Sequence, residues 1–293
     1  MSQKTSHKQE HLMQSLFKGR GIWRPLNTGF IDEHVKVVRE YIANVFFYTK
    51  NKQTIMIDAG YNYPCLKEKM GWIDLNPETI HDVLLTHIDT DHTGALEPDR
   101  EGLFKTAKVY LGRIENKYLT GEDIRRVSFN LFPLPRVIIN NEKVLLEDQQ
   151  VFYIGDIKIE CFLVPGHTKG HLVYLLDDTY LFTGDTIWLG IDGGYSFLST
   201  LAWSNKVAKA SLAKLEGIIR SRSLNPIIIT GHTGWTDDVD FAFAKKDQII
   251  GLRTKVLPDP QAPYDGYDEQ DDTEEVTRKH RPLAKKLTLK DNR

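Results

Sequence analysis

The segment Thr86-His87-Ile88-Asp89-Thr90-Asp91-His92-Thr93-Gly94 constrains this chain more than any other feature. Four side chains able to bind a metal ion fall within six residues, directly after the apolar run Val83-Leu84-Leu85, which reads as a buried strand. With ten His and twenty-four Asp in 293 residues, an H-x-D-x-D-H string arises by chance in roughly one such chain in 400. The structural alternative is a charged turn in which Asp91 or Thr93 caps the following helix, and a ligand can also cap.

Three later segments repeat the theme: Pro165-Gly166-His167-Thr168-Lys169-Gly170-His171, Phe182-Thr183-Gly184-Asp185-Thr186 and Ile229-Thr230-Gly231-His232-Thr233-Gly234-Trp235. Each sets a His or Asp just after an apolar run, behind a glycine that lets the backbone turn at a strand end. Four such segments in order point to one shared metal site. Trp188, Tyr195, Phe197, Trp203 and Trp235 fall near these loops and are candidates to line an apolar substrate pocket.

Between the motifs the pattern alternates short strands with few helices. The runs Ala43 to Thr49 and Thr54 to Asp58 flank Lys50-Asn51-Lys52 and predict a hairpin. Val151 to Ile154 and Ile157 to Leu163 predict a second, around Gly155-Asp156. Lys108 to Leu111, Leu172 to Leu176, Tyr180 to Phe182 and Ile227 to Ile229 complete the strands; Cys65 to Trp72, Ser204 to Arg220 and Phe241 to Leu252 are predicted helices. Residues 1–20 read as a flexible segment, 21–258 as one domain, and 259–293 as a charged tail, acidic between Asp265 and Glu275 and basic from Arg278 to Lys290.

Composition narrows the partners. Lys plus Arg number 38 against 40 Asp plus Glu, a formal charge of -2, so no global field holds nucleic acid or an anionic membrane. With 41% hydrophobic residues the chain can bury a sizeable core. A small-molecule substrate is the expected partner, and assembly as a homodimer stays open. Cys65 and Cys161 lack C-x-x-C spacing, which argues for reduced core thiols rather than a cysteine metal site. The absence of an apolar leader or a membrane-length apolar run predicts a cytoplasmic protein.

From about Gly29 to Asp240 the chain resembles the metallo-β-lactamase-fold superfamily, which carries H-x-H-x-D-H, then a His, an Asp and a final His on strand-end loops. The resemblance implies an α/β fold, a four-layer αββα sandwich of two mixed β-sheets flanked by helices. It implies two divalent metal ions per chain: His87, Asp89 and His167 on one, Asp91, His92 and His232 on the other, Asp185 bridging. Asp58 corresponds to an Asp that orients the ligand loops, with a plain turn residue as its alternative. His171 is expected to stand outside the ligand set in a supporting role. Asp89 departs from the usual His: three carboxylates would set -3 against +4, so the cluster should acidify its water less strongly, and the harder oxygen ligand tilts preference toward iron or manganese, with zinc still the first expectation. The implied function is metal-dependent hydrolysis: a metal-bridging hydroxide attacks a small ester, lactone or thioester, and Asp91 carries the proton. A di-iron redox enzyme or a non-catalytic metal-binding protein of the same fold are the alternatives. The stretches between motifs leave no room for the inserted domain of the superfamily's nucleases. The sequence after Pro258 does not resemble the helical glutathione-binding portion of a glyoxalase-II-like thioesterase.

Overall fold

The computed structural model describes residues 23–40, 42–61, 65–98, 102–197, 200–251 and 254. The segment 1–20 and the tail 259–293 lie outside them.

The first hairpin forms where the sequence predicts it. Strands β2 (Val35–Glu40), β3 (Ala43–Lys50) and β4 (Gln53–Ile57) pair antiparallel, and β1 (Gly29–Phe30) adds to β2. Asn51 and Lys52 join β3 to β4 with φ of 48° and 68°, the two positive angles a two-residue hairpin loop needs to match strand twist. Beyond β4 the sheet turns parallel through β5 (Asp82–Leu84), β6 (Lys108–Gly112) and β9 (Lys143–Leu146). A small ribbon, β7 (Arg126–Val127) and β8 (Phe132–Pro133), lies between β6 and β9 in sequence.

The second large sheet runs β10 (Val151–Ile154), β11 (Ile157–Leu163), β12 (Leu172–Leu176) and β13 (Tyr180–Phe182) antiparallel, then β16 (Ile227–Ile229) parallel and β17 (Trp235–Thr236) antiparallel. A third sheet joins β14 (Ile187–Gly190), β15 (Gly193–Ser196) and β18 (Lys245–Ile249). The result is a mixed α/β architecture of several mixed sheets with few helices.

Alternation explains why the central strands are apolar on both faces. In β3, Phe46 and Tyr48 enter a core shared with the second sheet, whereas Val45 and Phe47 enter a core with Leu66 and Met70 of helix Cys65–Trp72. In β12, Leu172, Tyr174 and Leu176 join the shared core, and Val173 and Leu175 meet Leu212 and Leu215 of helix Asn205–Ser221. Ser204 caps that helix through Val207 N. Tyr174 is fully buried and its hydroxyl donates to the Leu85 carbonyl at 2.8 Å, sparing the roughly 1–3 kcal/mol that an unpaired buried hydroxyl costs.

One predicted element changes type. The helix expected over 241–252 spans only Val239–Phe243, started by Asp238 accepting from Phe241 N at 2.9 Å; the chain then extends as β18. Parallel pairing with β15 overrides the local helical spacing there. Among the described residues no helix is long and apolar enough to cross a membrane.

Cys161 is a free, buried thiol donating to the Glu147 carbonyl at 3.1 Å, and burial pushes its pKa up to about 12. It therefore stays protonated, and unreactive, until far above neutral pH. In a Cys65→Ser variant, folded protein at pH 8 is expected to give no reaction with Ellman's reagent until denaturant is added; prompt labelling of the native state would contradict this burial.

Candidate metal centre

The site forms where two parallel strand pairs, one in each large sheet, end side by side in sequence logic and in space. Asp58 follows β4 and His87 follows β5; Asp185 follows β13 and His232 follows β16. His167 sits in the turn between β11 and β12, while Asp91 and His92 lie on the single helical turn Thr90–Thr93. Thr93 makes no side-chain capping bond and Asp91 lies inside the helical turn with its carboxylate facing His92 and His232, so a capping turn does not account for the segment.

All seven predicted ligands come together. The ligand atoms of His87, His167 and Asp185 lie within 4.8 Å of one another, as do those of Asp91, His92 and His232. Asp185 stands between the trios: Oδ2 is 3.2 Å from His232 Nε2 and 3.6 Å from His167 Nε2, and Oδ1 is 3.2 Å from His92 Nε2. Asp91 Oδ2 approaches His232 Nε2 at 3.4 Å and His92 Nε2 at 3.7 Å. Asp89 lies at the edge, with Oδ2 3.0 Å from His167 Nε2 and 3.8 Å from His87 Nε2.

Hydrogen bonds behind the rings decide which nitrogen faces the cluster. His232 Nδ1 donates to the Ile42 carbonyl at 2.6 Å and His92 Nδ1 to Asp58 Oδ2 at 2.8 Å. His87 Nδ1 meets Thr86 Oγ1 at 3.0 Å, and that hydroxyl donates to the Asp58 carboxylate. In the neutral rings the Nε2 lone pairs therefore point inward. His87 Nε2 is buried without a hydrogen-bond partner, and His92 and His232 face Nε2 to Nε2 at 3.3 Å.

Electrostatics agrees. Burial, then the neighbouring His92 and His167, hold His87 well below its usual range. For His92 and His232 burial opposes protonation, yet Asp185 and further carboxylates outweigh it and raise both. Burial also raises Asp91. Carboxylates that pull protons onto imidazoles, around a lone pair with no donor, form a set that a divalent cation satisfies, and the mixed His/Asp donors suit one.

Asp58 orients rather than merely turns the chain. It accepts from Thr86 N at 2.8 Å as well as from Thr86 Oγ1 and His92, in a left-handed conformation with φ of 58°. His171 stands outside the cluster, its ring stacked on His87 at 4.9 Å and its Nε2 accepting from Asp185 N at 3.2 Å; burial lowers its pKa to about 3. The aromatic candidates divide. Trp188 stacks on His232 at 5.1 Å and the Phe197 ring lies 4.1 Å from His167, both nearly fully buried, with Tyr195 in the same apolar cluster. Trp203 is half-buried beneath Lys169. Trp235 instead belongs to the core shared by the two large sheets, because β17 pairs with β16.

Three residues that the sequence did not single out complete the frame. Asn44 Nδ2 donates to the carbonyls of Thr230 and Thr233, both at 3.0 Å, pinning the His232 loop to the first sheet. Arg125 grips Asp89, which it holds well below the usual carboxylate range against burial; with this cation present, the -3 counted from the carboxylates alone becomes -2. Glu115 accepts from Ile88 N at 3.1 Å, Thr168 Oγ1 at 2.7 Å and Gly170 N at 3.0 Å, tying the His87 loop to the His167 loop. Only one signal hinted at Glu115: it shares a helix face with Tyr118, three residues on, and both are buried.

Burial pushes Glu115 up to about 7. A carboxyl whose folded pKa exceeds its unfolded value favours folding below the usual carboxylate range, and that contribution is lost as pH rises through about 7. In chelated protein, the melting temperature of wild type minus that of Glu115→Gln is therefore expected to fall from pH 5 to pH 8. A difference constant over that range would count against the shift.

Residues 38–255 match the family model of the metallo-beta-lactamase superfamily. The chain is 30% identical over 157 residues, half of its length, to a metallo-beta-lactamase fold-containing protein of Sulfurisphaera tokodaii, of which the match covers 57%. It is 31% identical over 137 residues to a probable polyketide biosynthesis zinc-dependent hydrolase of Bacillus velezensis, covering 47% of this chain and 51% of that one. A hydroxyacylglutathione hydrolase of Prochlorococcus marinus is 26% identical over 167 residues, covering 55% of each. The chain spans about half the length of the curated relatives it matches. In structure, a metallo-beta-lactamase family protein of Thermus thermophilus aligns with TM-score 0.53 at 19% identity, covering 71% of this chain and 76% of that one. A B3 metallo-beta-lactamase aligns with TM-score 0.53 at 21% identity over 69% and 93%.

Proposed function

The chain belongs to the metallo-beta-lactamase superfamily, and from that premise we propose that it is a hydrolase of a small ester, lactone or thioester working with two divalent metal ions, zinc first. The observation that carries this reading is the pair of three-residue clusters with Asp185 between them and imidazole lone pairs turned inward. The relatives named a probable polyketide biosynthesis zinc-dependent hydrolase and a hydroxyacylglutathione hydrolase support hydrolysis.

His87, His167 and Asp185 would hold one ion, with Asp89 beside them, and Asp91, His92 and His232 the other. Bound ions would supply a water acidified enough to attack near neutral pH and a Lewis acid for the scissile carbonyl. The chain's own part is orientation and proton traffic. Asp58, Thr86 and the Ile42 carbonyl hold three imidazoles in the ligating tautomer. Asp91 reaches solvent most, with 16% of its side chain exposed against 4% for Asp185, and burial raises its pKa. It would take up a proton and return it to the leaving group. Trp188 and Phe197 cover His232 and His167 and exclude water on that flank.

Metal analysis of protein purified without chelator tests the reading, together with a lactone and thioester screen. About two equivalents of zinc, iron or manganese per chain are expected, with hydrolysis lost on chelation and restored by the same metal. Protein that takes up no metal after reconstitution would overturn it.

A further inference from the structure

Arg125 lies among the ligands although it cannot bind a cation. Its side chain is 3% exposed and meets the Asp89 carboxylate side on, Nε to Oδ1 and Nη2 to Oδ2, both at 2.8 Å. Nη1 also donates to the Arg126 carbonyl at 2.7 Å and Nη2 to the Leu201 carbonyl at 2.8 Å. With those hydrogens spent on the protein, no fork is left to bind a substrate. A permanent cation here would repel divalent ions unless its charge were cancelled, and Asp89 is the group that cancels it.

Asp89 nevertheless keeps one oxygen on the cluster. Oδ2 lies 3.0 Å from His167 Nε2 and 3.8 Å from His87 Nε2, bracketing the roughly 3.3 Å that separates two ligands on one tetrahedral ion. A carboxylate oxygen can accept from a guanidinium on one lone pair and turn the other elsewhere.

We propose that Asp89 and Arg125 act as a single uncharged ligand: Arg125 takes up the carboxylate charge while Oδ2 faces the ion held by His87, His167 and Asp185. The unit then gives the centre the charge it would have with a histidine at position 89, so the weaker acidification of bound water expected from three uncompensated carboxylates is offset while an oxygen donor is kept. The inference rests on the metal-centre reading above. Arg125 is a positioning residue that acts through Asp89.

The test is zinc affinity, measured by competition with a chromophoric chelator and independent of turnover. Arg125→Met frees the carboxylate charge and is expected to tighten zinc at least about tenfold; Asp89→His bares the guanidinium and is expected to weaken it at least about tenfold. The double variant Asp89→His with Arg125→Met should return to within about threefold of wild type, and Arg125→Lys, which keeps the charge but loses the two-bond fork, should fall between wild type and Arg125→Met. A pair that only braces the fold would lower the melting temperature of chelated protein in every variant and leave affinity unchanged, or weaken it in both single variants; either outcome overturns the proposal. Should Arg125→Met fail to fold, Asp89→Asn, which keeps the shape and strips the charge, must still weaken zinc at least about tenfold. Wild type that binds no zinc would instead sink the metal-centre reading and this inference with it. Wild type that binds two ions, with variants that do not split in sign, overturns the uncharged unit alone.

Discussion

Asp185→Ala is expected to cut hydrolysis by about a thousandfold or more, roughly 4 kcal/mol of transition-state stabilisation. The reason is its place between the clusters: Oδ1 addresses His92 while Oδ2 addresses His167 and His232. Of the three carboxylates in the set it alone lies against histidines of both trios, since Asp89 faces His87 and His167 and Asp91 faces His92 and His232. The variant should lose metal from both positions, seen as a bound-metal ratio well below that of wild type after identical reconstitution. It should still fold, because Asp185 stabilises the site rather than the sheets. Near-normal metal content with near-normal turnover would show that Asp185 does not join the two halves of the centre.

Asp58→Ala should harm stability as well as metal binding. Thr86 N, Thr86 Oγ1 and His92 Nδ1 all lose their buried acceptor at once, which costs about 3–5 kcal/mol. Alanine is also a poor fit to the positive φ at this position. With His92 free to rotate, metal affinity should fall by about 10–100-fold. Asp58→Asn, which tolerates the backbone and keeps one acceptor oxygen, should fall between wild type and Asp58→Ala in melting temperature. Equal effects of Ala and Asn would point to a purely electrostatic role for this carboxylate.

What was legible in the sequence follows from locality. The ligand-bearing loops could be read because each joins an apolar strand to a glycine turn within a few residues, so His87, Asp185 and His232 announce themselves. Helix Asn205–Ser221 was visible in the same way, from the spacing of its apolar residues, and helix Cys65–Trp72 formed where the sequence placed it. The misread stretch after Phe243 is a strand only because β15 lies beside it, a fact absent from its own residues. Arg125 and Glu115 were hidden for a related reason: each meets its partner across dozens of residues, in a region with little periodicity. Trp235 sat close to His232 in sequence, yet strand pairing turned it into the core behind.

The two strand-end pairs that build the centre come from different sheets, His87 and His92 from one and His167, Asp185 and His232 from the other. Anything bound between them therefore works as a clasp across the middle of the fold, added to the shared apolar core and to the hydrogen bonds that Asn44, Glu115 and the Ile42 carbonyl already make between these segments. Heat resistance then becomes a function of free metal: by mass action, a ligand at a thousand times its dissociation constant adds about 4 kcal/mol to the folded state. Chelation should loosen the molecule along this line first, so that amide exchange in the loops at residues 86–94 and 230–234 quickens before exchange in β3 or β12 does.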